Sequence, residues 1–259
     1  MTEMVETWIN DRWPLLLPKH RADRPEWPWW EAGRLASMWH YLQPPGAAQG
    51  THYHYTTSTP WPHSRPREVV YDIGAEEGDL PALWSSWGCD VVLFEPNDRV
   101  WPNIKAIWEA NELRPPLACV PAFVGSSPSG DVGFSAKWPT SAAGEVIHDH
   151  GFKTMPEYPE IPVVTIDEMV NAFDTPPPTA ITIDVEGAEM EVLKGAVNVL
   201  KLYKPKVWVS VHHQFALELY GRGDVLGDIQ WLMAECGYPD DGRGVFIASD
   251  HEQHWMWLP

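Results

Sequence analysis

Residues 69–80 read VVYDIGAEEGDL, and the fold turns on how this stretch is understood. An apolar run ends in an acid, Asp72, and two glycines follow at positions 74 and 78. That order predicts a β-strand delivered into a tight turn and then into a helix. Such turns often cradle phosphate, because bare backbone N–H groups at a helix start attract anions. Here Glu76, Glu77 and Asp79 crowd the turn, and three carboxylates would repel a pyrophosphate. They suit a ligand with a cationic centre and free hydroxyls. About twenty residues on, at the end of the next apolar run, stands Glu95, an acid placed to accept hydrogen bonds from ribose hydroxyls. The spacing is not GxGxxG, which argues against a dinucleotide. Asp72, Gly74, Gly78 and Glu95 therefore outline a nucleoside site, with the glycines leaving room for a ligand against the backbone.

From Arg67 onward strand-like and helix-like segments alternate, which predicts an α/β fold with a mostly parallel sheet and helices on both faces. Strands are expected at 68–72, in DVVLFEP (90–96), in LACVPAFV (117–124), at the start of IPVVTIDEMVNAF (161–173), in AITIDVEG (180–187) and in KVWVSVHH (206–213). GVFIASDHEQHWMWLP (244–259) reads as a closing hairpin, antiparallel at the sheet edge. Helices are expected at 80–87, stopped by Gly88; after Asn97 or Asp98 as cap, with Val100, Ile104, Ile107 and Trp108 as its stripe; and at 188–202, with Met190, Leu193, Val197 and Leu200 inward. Residues 125–160 read as a long loop with one hairpin. Residues 1–66 form an extension distinct from the 67–259 domain. It holds seven of the sixteen tryptophans, and 3–12 and 27–43 have the spacing of short amphipathic helices.

The chain of 259 residues suffices for one large α/β domain and this extension. A formal charge of −18 disfavours nucleic acid and anionic membrane surfaces as partners. No apolar stretch reaches the ~18–20 residues of a membrane helix, and MTEMVETWIN lacks the layout of a signal peptide. Cys89, Cys119 and Cys236 are too scattered for a metal site or a disulfide framework, so a cytoplasmic protein with reduced thiols is expected. Oligomeric state is not legible.

The stretch 181–196, ITIDVEGAEMEVLKGA, brings a family into view. The sequence resembles the FkbM family of S-adenosylmethionine-dependent methyltransferases, whose hallmark the phrase IDVEGAEMEVLKGA matches. The resemblance runs in order through VVYDIGAEEG, VVLFEPNDRVWPNI, AFVGSSPSGDVGFS, VVTIDEMV, the hallmark and VWVSVHHQF, about residues 69–215. It implies a Rossmann-like class I methyltransferase sheet of seven strands with an antiparallel last hairpin. It implies S-adenosylmethionine as cofactor, and methyl transfer to a hydroxyl, often on a sugar or a glycosylated product. Carried over by position, Asp72, Gly74, Ala75 and Gly78 match the first cofactor motif, and Glu95, Pro96 and Asn97 the second. Asp184, Glu186 and Gly187 match the hallmark. Glu76 departs from the small or amide residue that many relatives have there, which bears on the methionine end of the cofactor site.

An alcohol is a poor nucleophile, so methyl transfer to it calls for a base or a metal. Asp184 ends one strand and His212 the next, and neighbouring parallel strands open onto one crevice. They could act as base and orienter, or share Mg²⁺ or another divalent cation with Glu186. The bland role of Asp184 is an acid at a helix start. HYH at 52–54 and HDH at 148–150 are weaker metal candidates, without a second cluster at a recognised spacing. The N-terminal tryptophans could line an acceptor pocket, although packing onto the core explains most of them. Other readings are a different small-molecule O- or N-methyltransferase, or a non-catalytic cofactor-binding module of the same fold.

Overall fold

A computed structural model describes residues 3–9, 13–23, 32–42, 58, 66–129, 138, 161–172, 175–239, 241–247 and 252–259. The chain opens with a hairpin, β1 (Met4–Ile9) and β2 (Trp13–Pro18), followed by a single helical turn, α1 (Lys19–Ala22), and by α2 (Ala32–Leu42). The core domain then runs β3 (Val69–Ile73), α3 (Asp79–Ser86), β4 (Asp90–Phe94), α4 (Trp101–Ala110), β5 (Ala118–Val120), β6 (Phe123–Val124), β7 (Val163–Val164), α5 (Ile166–Ala172) and β8 (Ala180–Ile183). It closes with α6 (Glu189–Lys194), α7 (Val197–Tyr203), β9 (Lys206–His212), α8 (His213–Tyr220), α9 (Val225–Glu235), β10 (Arg243–Ile247) and β11 (Glu252–Trp257).

Seven strands form one sheet in the order β10-β11-β9-β8-β3-β4-β5. β3 pairs in parallel with both β4 and β8, β8 with β9, and β4 with β5. β11 is antiparallel to both its neighbours, so it alone runs against the rest. This is the Rossmann-like class I methyltransferase sheet with its C-terminal hairpin at the edge. The chain steps outward from β3 through β4 to β5, then returns to β8 on the other side. The switch point lies between β3 and β8, where open α/β sheets bind ligands beyond the strand ends. The central strands β3, β4, β8 and β9 are buried on both faces, as helices on both sides of a parallel sheet require.

Residues 3–12 are not a helix: β1 and β2 pair from Met4↔Pro18 to Ile9↔Trp13. The buried alternation of β2, with Trp13, Leu15 and Leu17 inward, decides the matter, because it packs on the α3–α4 face and a helix there would turn part of it to solvent. The second expected helix is described over residues 32–42 only. LACVPAFV is two strands. Pro121 cannot donate to a ladder, so β5 ends before it and β6 leaves the main sheet to pair with β7. The expected helix 188–202 is broken at Gly195, where a Cβ would lie 2.0 Å from the carbonyl oxygen of Gly125. α4 begins at Trp101 without a side-chain cap. Asn97 instead accepts from the Arg99 N–H at 3.2 Å in a turn one step earlier. The helices α8 and α9 were not foreseen.

Trp13 and Trp39 pack against Trp87, with ring centroids 5.1 and 5.0 Å apart, and Trp84 lies 5.0 Å from Trp87 on the other side. All four are buried. These N-terminal aromatics therefore seal the core, together with Ile9, Leu15 and Leu17 of the hairpin.

Candidate active site

The site is built at the switch point. The turn after β3 places Gly74 at φ +88°, and its N–H and that of Ala75 both donate to the Phe94 carbonyl at the end of β4, at 3.0 Å each. A Cβ on Gly74 would sit 1.9 Å from the Asp184 carbonyl oxygen, so the missing side chain lets the β3 turn close onto the end of β8. A Cβ on Gly78, at φ +89°, would meet the Ile104 side chain of α4 at 2.9 Å. Both glycines thus make room for protein on their Cβ side, which corrects the expectation that they open space for a ligand there. Asp72 is buried one residue before the strand end. It accepts from Trp84 Nε1 at 3.2 Å and from the Thr182 hydroxyl of β8, its register partner.

Glu95 follows β4 and is buried. It accepts from the Glu76 N–H at 2.9 Å and the Asn97 N–H at 2.7 Å, one on each oxygen. Burial pushes its carboxyl up to about 8, against those two hydrogen bonds, and the nearby Glu76 and Asp72 push the same way as burial. Each oxygen keeps a further lone pair, so the group suits hydroxyl donors and gains from a cation nearby. Pro96 completes the turn between Glu95 and Asn97.

The acid-rich turn already has its cations. Arg21, from α1, is 2% exposed and reaches across to it. Its Nη1 and Nη2 donate to the two Glu76 carboxylate oxygens at 2.9 and 3.0 Å, and its Nε and Nη2 donate to Asp79 Oδ2 at 2.8 and 2.5 Å. His20 Nε2 lies 2.5 Å from Glu77 Oε2, which also accepts from Asn103 Nδ2 of α4 at 2.9 Å. Burial raises the Glu77 carboxyl, but His20, Arg21 and Asn103 outweigh it and hold the group below its ordinary value. The cationic centre that Glu76, Glu77 and Asp79 called for is thus supplied in large part by the chain itself.

The second half of the site stands on β8, β9 and β11. Register sets Ile183 beside Val209 and His254 beside Ser210, so Asp184, Ser210 and His254 form one row across the sheet edge. Ser210 Oγ donates to Asp184 Oδ2 at 3.0 Å, and His254 Nδ1 lies 3.0 Å from the same hydroxyl. His254 Nε2 is 3.1 Å from Glu252 Oε1. His212 donates through Nδ1 to Glu189 Oε1 at 2.8 Å, and its Nε2 is 3.7 Å from Asp184 Oδ1. Burial lowers the proton affinity of this ring, but Glu189, Asp184 and Glu186 outweigh it and raise the group to about 9. The ring therefore holds its proton more tightly than a free imidazole. Among the described residues, no group of three or more His, Cys, Asp or Glu side chains is arranged to hold a metal ion.

Glu186 takes the left-handed backbone at φ +50°, followed by Gly187 at +104°. A Cβ on Gly187 would meet the backbone of Phe215 and Ala216 at 2.8 Å, so the hallmark turn is fitted against α8. Burial raises the Glu186 carboxyl to about 7. His212 opposes the rise, and Asp184, Glu76 and Glu252 add to it. That carboxyl therefore feels both halves of the site.

The structure brings Asp184, Glu186 and His212 together, and brings Glu95 to the Glu76 turn. Sequence reasoning missed Arg21, His20, Glu189, Ser210, Glu252 and His254. A signal existed for Ser210, a polar residue inside an otherwise apolar strand, and for Glu189, within the hallmark stretch. HYH at 52–54 and HDH at 148–150 lie outside the described residues. No described helix is long and apolar enough to cross a membrane.

Residues 72–239 match the methyltransferase FkbM domain. The hexuronic acid methyltransferase AglP of Haloferax volcanii is 32% identical over 136 residues, a match covering 52% of this chain and 52% of that protein. The chain thus spans about half the length of this curated relative. Among solved structures, a methyltransferase FkbM from Methylobacillus flagellatus aligns with a TM-score of 0.49 at 18% identity, over 74% of this chain and 43% of that one. A fibrillarin from Aeropyrum pernix with natively bound S-adenosyl-L-methionine gives 0.39 at 10% identity, over 74% and 66%.

Proposed function

The chain belongs to the FkbM methyltransferase family, and on that premise we propose that it is an S-adenosylmethionine-dependent O-methyltransferase acting on a hydroxyl of a sugar, a glycan or a glycosylated metabolite. The observation that carries this reading is the pairing of two features across the switch point. One is the buried carboxyl of Glu95, held by two backbone N–H groups and with lone pairs left for hydroxyl donors. The other is a set of proton-handling side chains at Asp184, Glu186 and His212. The hexuronic acid named for the Haloferax relative supports a sugar acceptor.

When bound, S-adenosylmethionine supplies a methyl group on a sulfonium sulfur, open to displacement by an oxygen nucleophile. Glu95 would hold the ribose hydroxyls. Asp72, Gly74, Ala75, Glu76, Gly78, Pro96 and Asn97 shape the turn around them. The acceptor hydroxyl must lose a proton as its oxygen attacks. Asp184 takes that proton, and Glu186, whose carboxyl sits near neutrality, shares the task. His212 is already charged and so serves as the orienter. Held by Glu189, it keeps a positive charge against Asp184 and fixes that carboxylate. Three free, buried cysteines suit a reducing cytoplasm.

The test is methyl transfer from labelled S-adenosylmethionine to a panel of neutral sugars, uronic acids and glycosylated metabolites, with and without EDTA. Label in a sugar, unaffected by chelator, is expected. Saturating S-adenosylhomocysteine should also raise the melting temperature, whereas NAD should not. Stabilisation by NAD alone would sink the cofactor assignment. Activity lost to EDTA and restored by Mg²⁺ would make Asp184, Glu186 and His212 ligands to a cation, whereas indifference to chelator favours direct base catalysis.

A further inference from the structure

We propose that Arg21, which lies outside the family-matched residues, is a positioning residue for the cofactor, acting through the backbone of Glu76 on Glu95. The proposal rests on the reading of Glu95 as the ribose carboxylate.

The path is short and each step is a contact. Arg21 is anchored from behind by Asp79, which is 1% exposed and begins α3. With Asp79 fixed on the helix, the guanidinium fork meets the Glu76 carboxylate edge to edge, the bidentate geometry that constrains orientation as well as distance. Glu76 is held at φ +49°, a conformation that a side-chain-bearing residue rarely adopts. Such a conformation persists only where the surroundings fix it from several directions. In that conformation its N–H points to Glu95 Oε2 at 2.9 Å. One cation from α1 thus sets a strained residue, and that residue orients the carboxylate that would face the ribose.

Charge acts in the same sense. Glu76 and Asp72 both oppose ionisation of Glu95. Arg21 offsets the charge of Glu76 directly, and so favours the ionised, doubly accepting form of Glu95. A lysine would retain the charge but lose the planar fork. The preceding hairpin keeps α1 and Arg21 in place: Lys19 N–H donates to the Glu3 carbonyl, and Leu16 is bound at both backbone groups by Asn111 at 2.8 Å.

The experiment is calorimetric binding of S-adenosylhomocysteine and of adenosine to the full chain and to Arg21→Met, Arg21→Lys and Glu95→Gln. Folding is checked by near-ultraviolet circular dichroism. Adenosine keeps the ribose and lacks the amino-acid end, so it separates action through Glu95 from action on the methionine end. Arg21→Met is expected to bind both ligands at least tenfold more weakly, with Arg21→Lys in between. In the Glu95→Gln background the Arg21 effect should largely vanish, a non-additivity that general loosening of the fold would not produce. If the parent protein binds neither ligand, the cofactor reading fails. If the parent binds and folded Arg21→Met binds equally well, or loses affinity for S-adenosylhomocysteine alone, the positioning role is overturned. Should Arg21→Met not fold, Glu76→Gln carries the same test. It keeps the N–H and disrupts the charged fork, and unchanged adenosine affinity would refute the proposal.

Discussion

The acid turn at residues 76–79 and the cluster around Asp184 and His212 both gather carboxylates at the same edge of the sheet, yet they obtain their counter-charges by different routes. Arg21 reaches the turn from 55 to 58 positions upstream, out of a four-residue helix beyond a hairpin. His212, Ser210 and His254 reach Asp184 from neighbouring strands, at places fixed by ladder register. The first cluster therefore depends on how an extension docks, and the second on how the sheet is paired. Their chemistry differs as well. Around Arg21 the acids are engaged by cations and amides, a closed structural arrangement. Around His212 the cation is saturated while Asp184 and Glu186 retain capacity for a proton. The proposed roles differ accordingly: the first cluster would shape a binding surface and the second would handle the reaction.

The sharpest way to break this contrast is Asp184→Asn. It should lower turnover by about 10²–10⁴ and leave S-adenosylhomocysteine affinity unchanged in a calorimeter. A variant at the parent rate would return Asp184 to the bland role of an acid before a helix. Next in size is the stability of Arg21→Met. Leaving Asp79 and Glu77 buried without their guanidinium should cost about 3–5 kcal/mol in urea unfolding. A loss under 1 kcal/mol would mean that the acids simply take up protons. The double variant Arg21→Met/Asp79→Asn should recover part of the loss.

pH sharpens the comparison further. His212 is raised from 6.5 to about 9 on folding, so its contribution is whole below 6.5 and is lost as pH rises through 9. Glu95, raised from 4.5 to about 8, and Glu186, raised to about 7, act in the same direction, with stability lost as pH climbs from 4.5 through those values. Denaturant titrations should show stability falling between pH 6.5 and 9, by up to about 3 kcal/mol from His212. The slope should flatten in His212→Gln. A curve rising over this range would contradict the imidazolium assignment. The smallest effect expected is that of Ser210→Ala, which removes one hydrogen bond to Asp184. A loss of about 1 kcal/mol in kcat/KM, with cofactor affinity unchanged, is expected. A loss equal to that of Asp184→Asn would make the hydroxyl a full partner in proton transfer.

Much of the core was legible because its signals are local. The apolar run into Asp72, the turn at Gly74 and Gly78, Glu95 after the next strand, and the hallmark from Ile183 to Ala196 each read out within a few residues. The antiparallel closing hairpin was legible for the same reason. The hairpin at 4–18 was misread because Met4, Val5, Trp8 and Ile9 also satisfy a helical spacing. Pairing with residues 13–18 is a non-local choice, for which Asn10-Asp11 and two prolines gave only a turn signal. Pro121 and Gly195 announced breaks that a purely hydrophobic reading passed over. Arg21 gave no signal at all, since a lone arginine after a hairpin looks like any surface charge.

By itself, the sequence determined the alternation of strands and helices, the family, the cofactor turn and the identity of the acids at the strand ends. The alternation follows from side-chain periodicity and backbone preference, which act over a few residues, and the family from the resemblance of short contiguous motifs. Only the tertiary structure decided what those acids face. It gave Glu76 and Asp79 to Arg21, gave Glu189 to His212, and lined Asp184 with Ser210 and His254. A carboxylate's role is set by burial and by the charge and donors within a few ångströms. Those neighbours come from strands and a hairpin far apart along the chain, joined by packing and register.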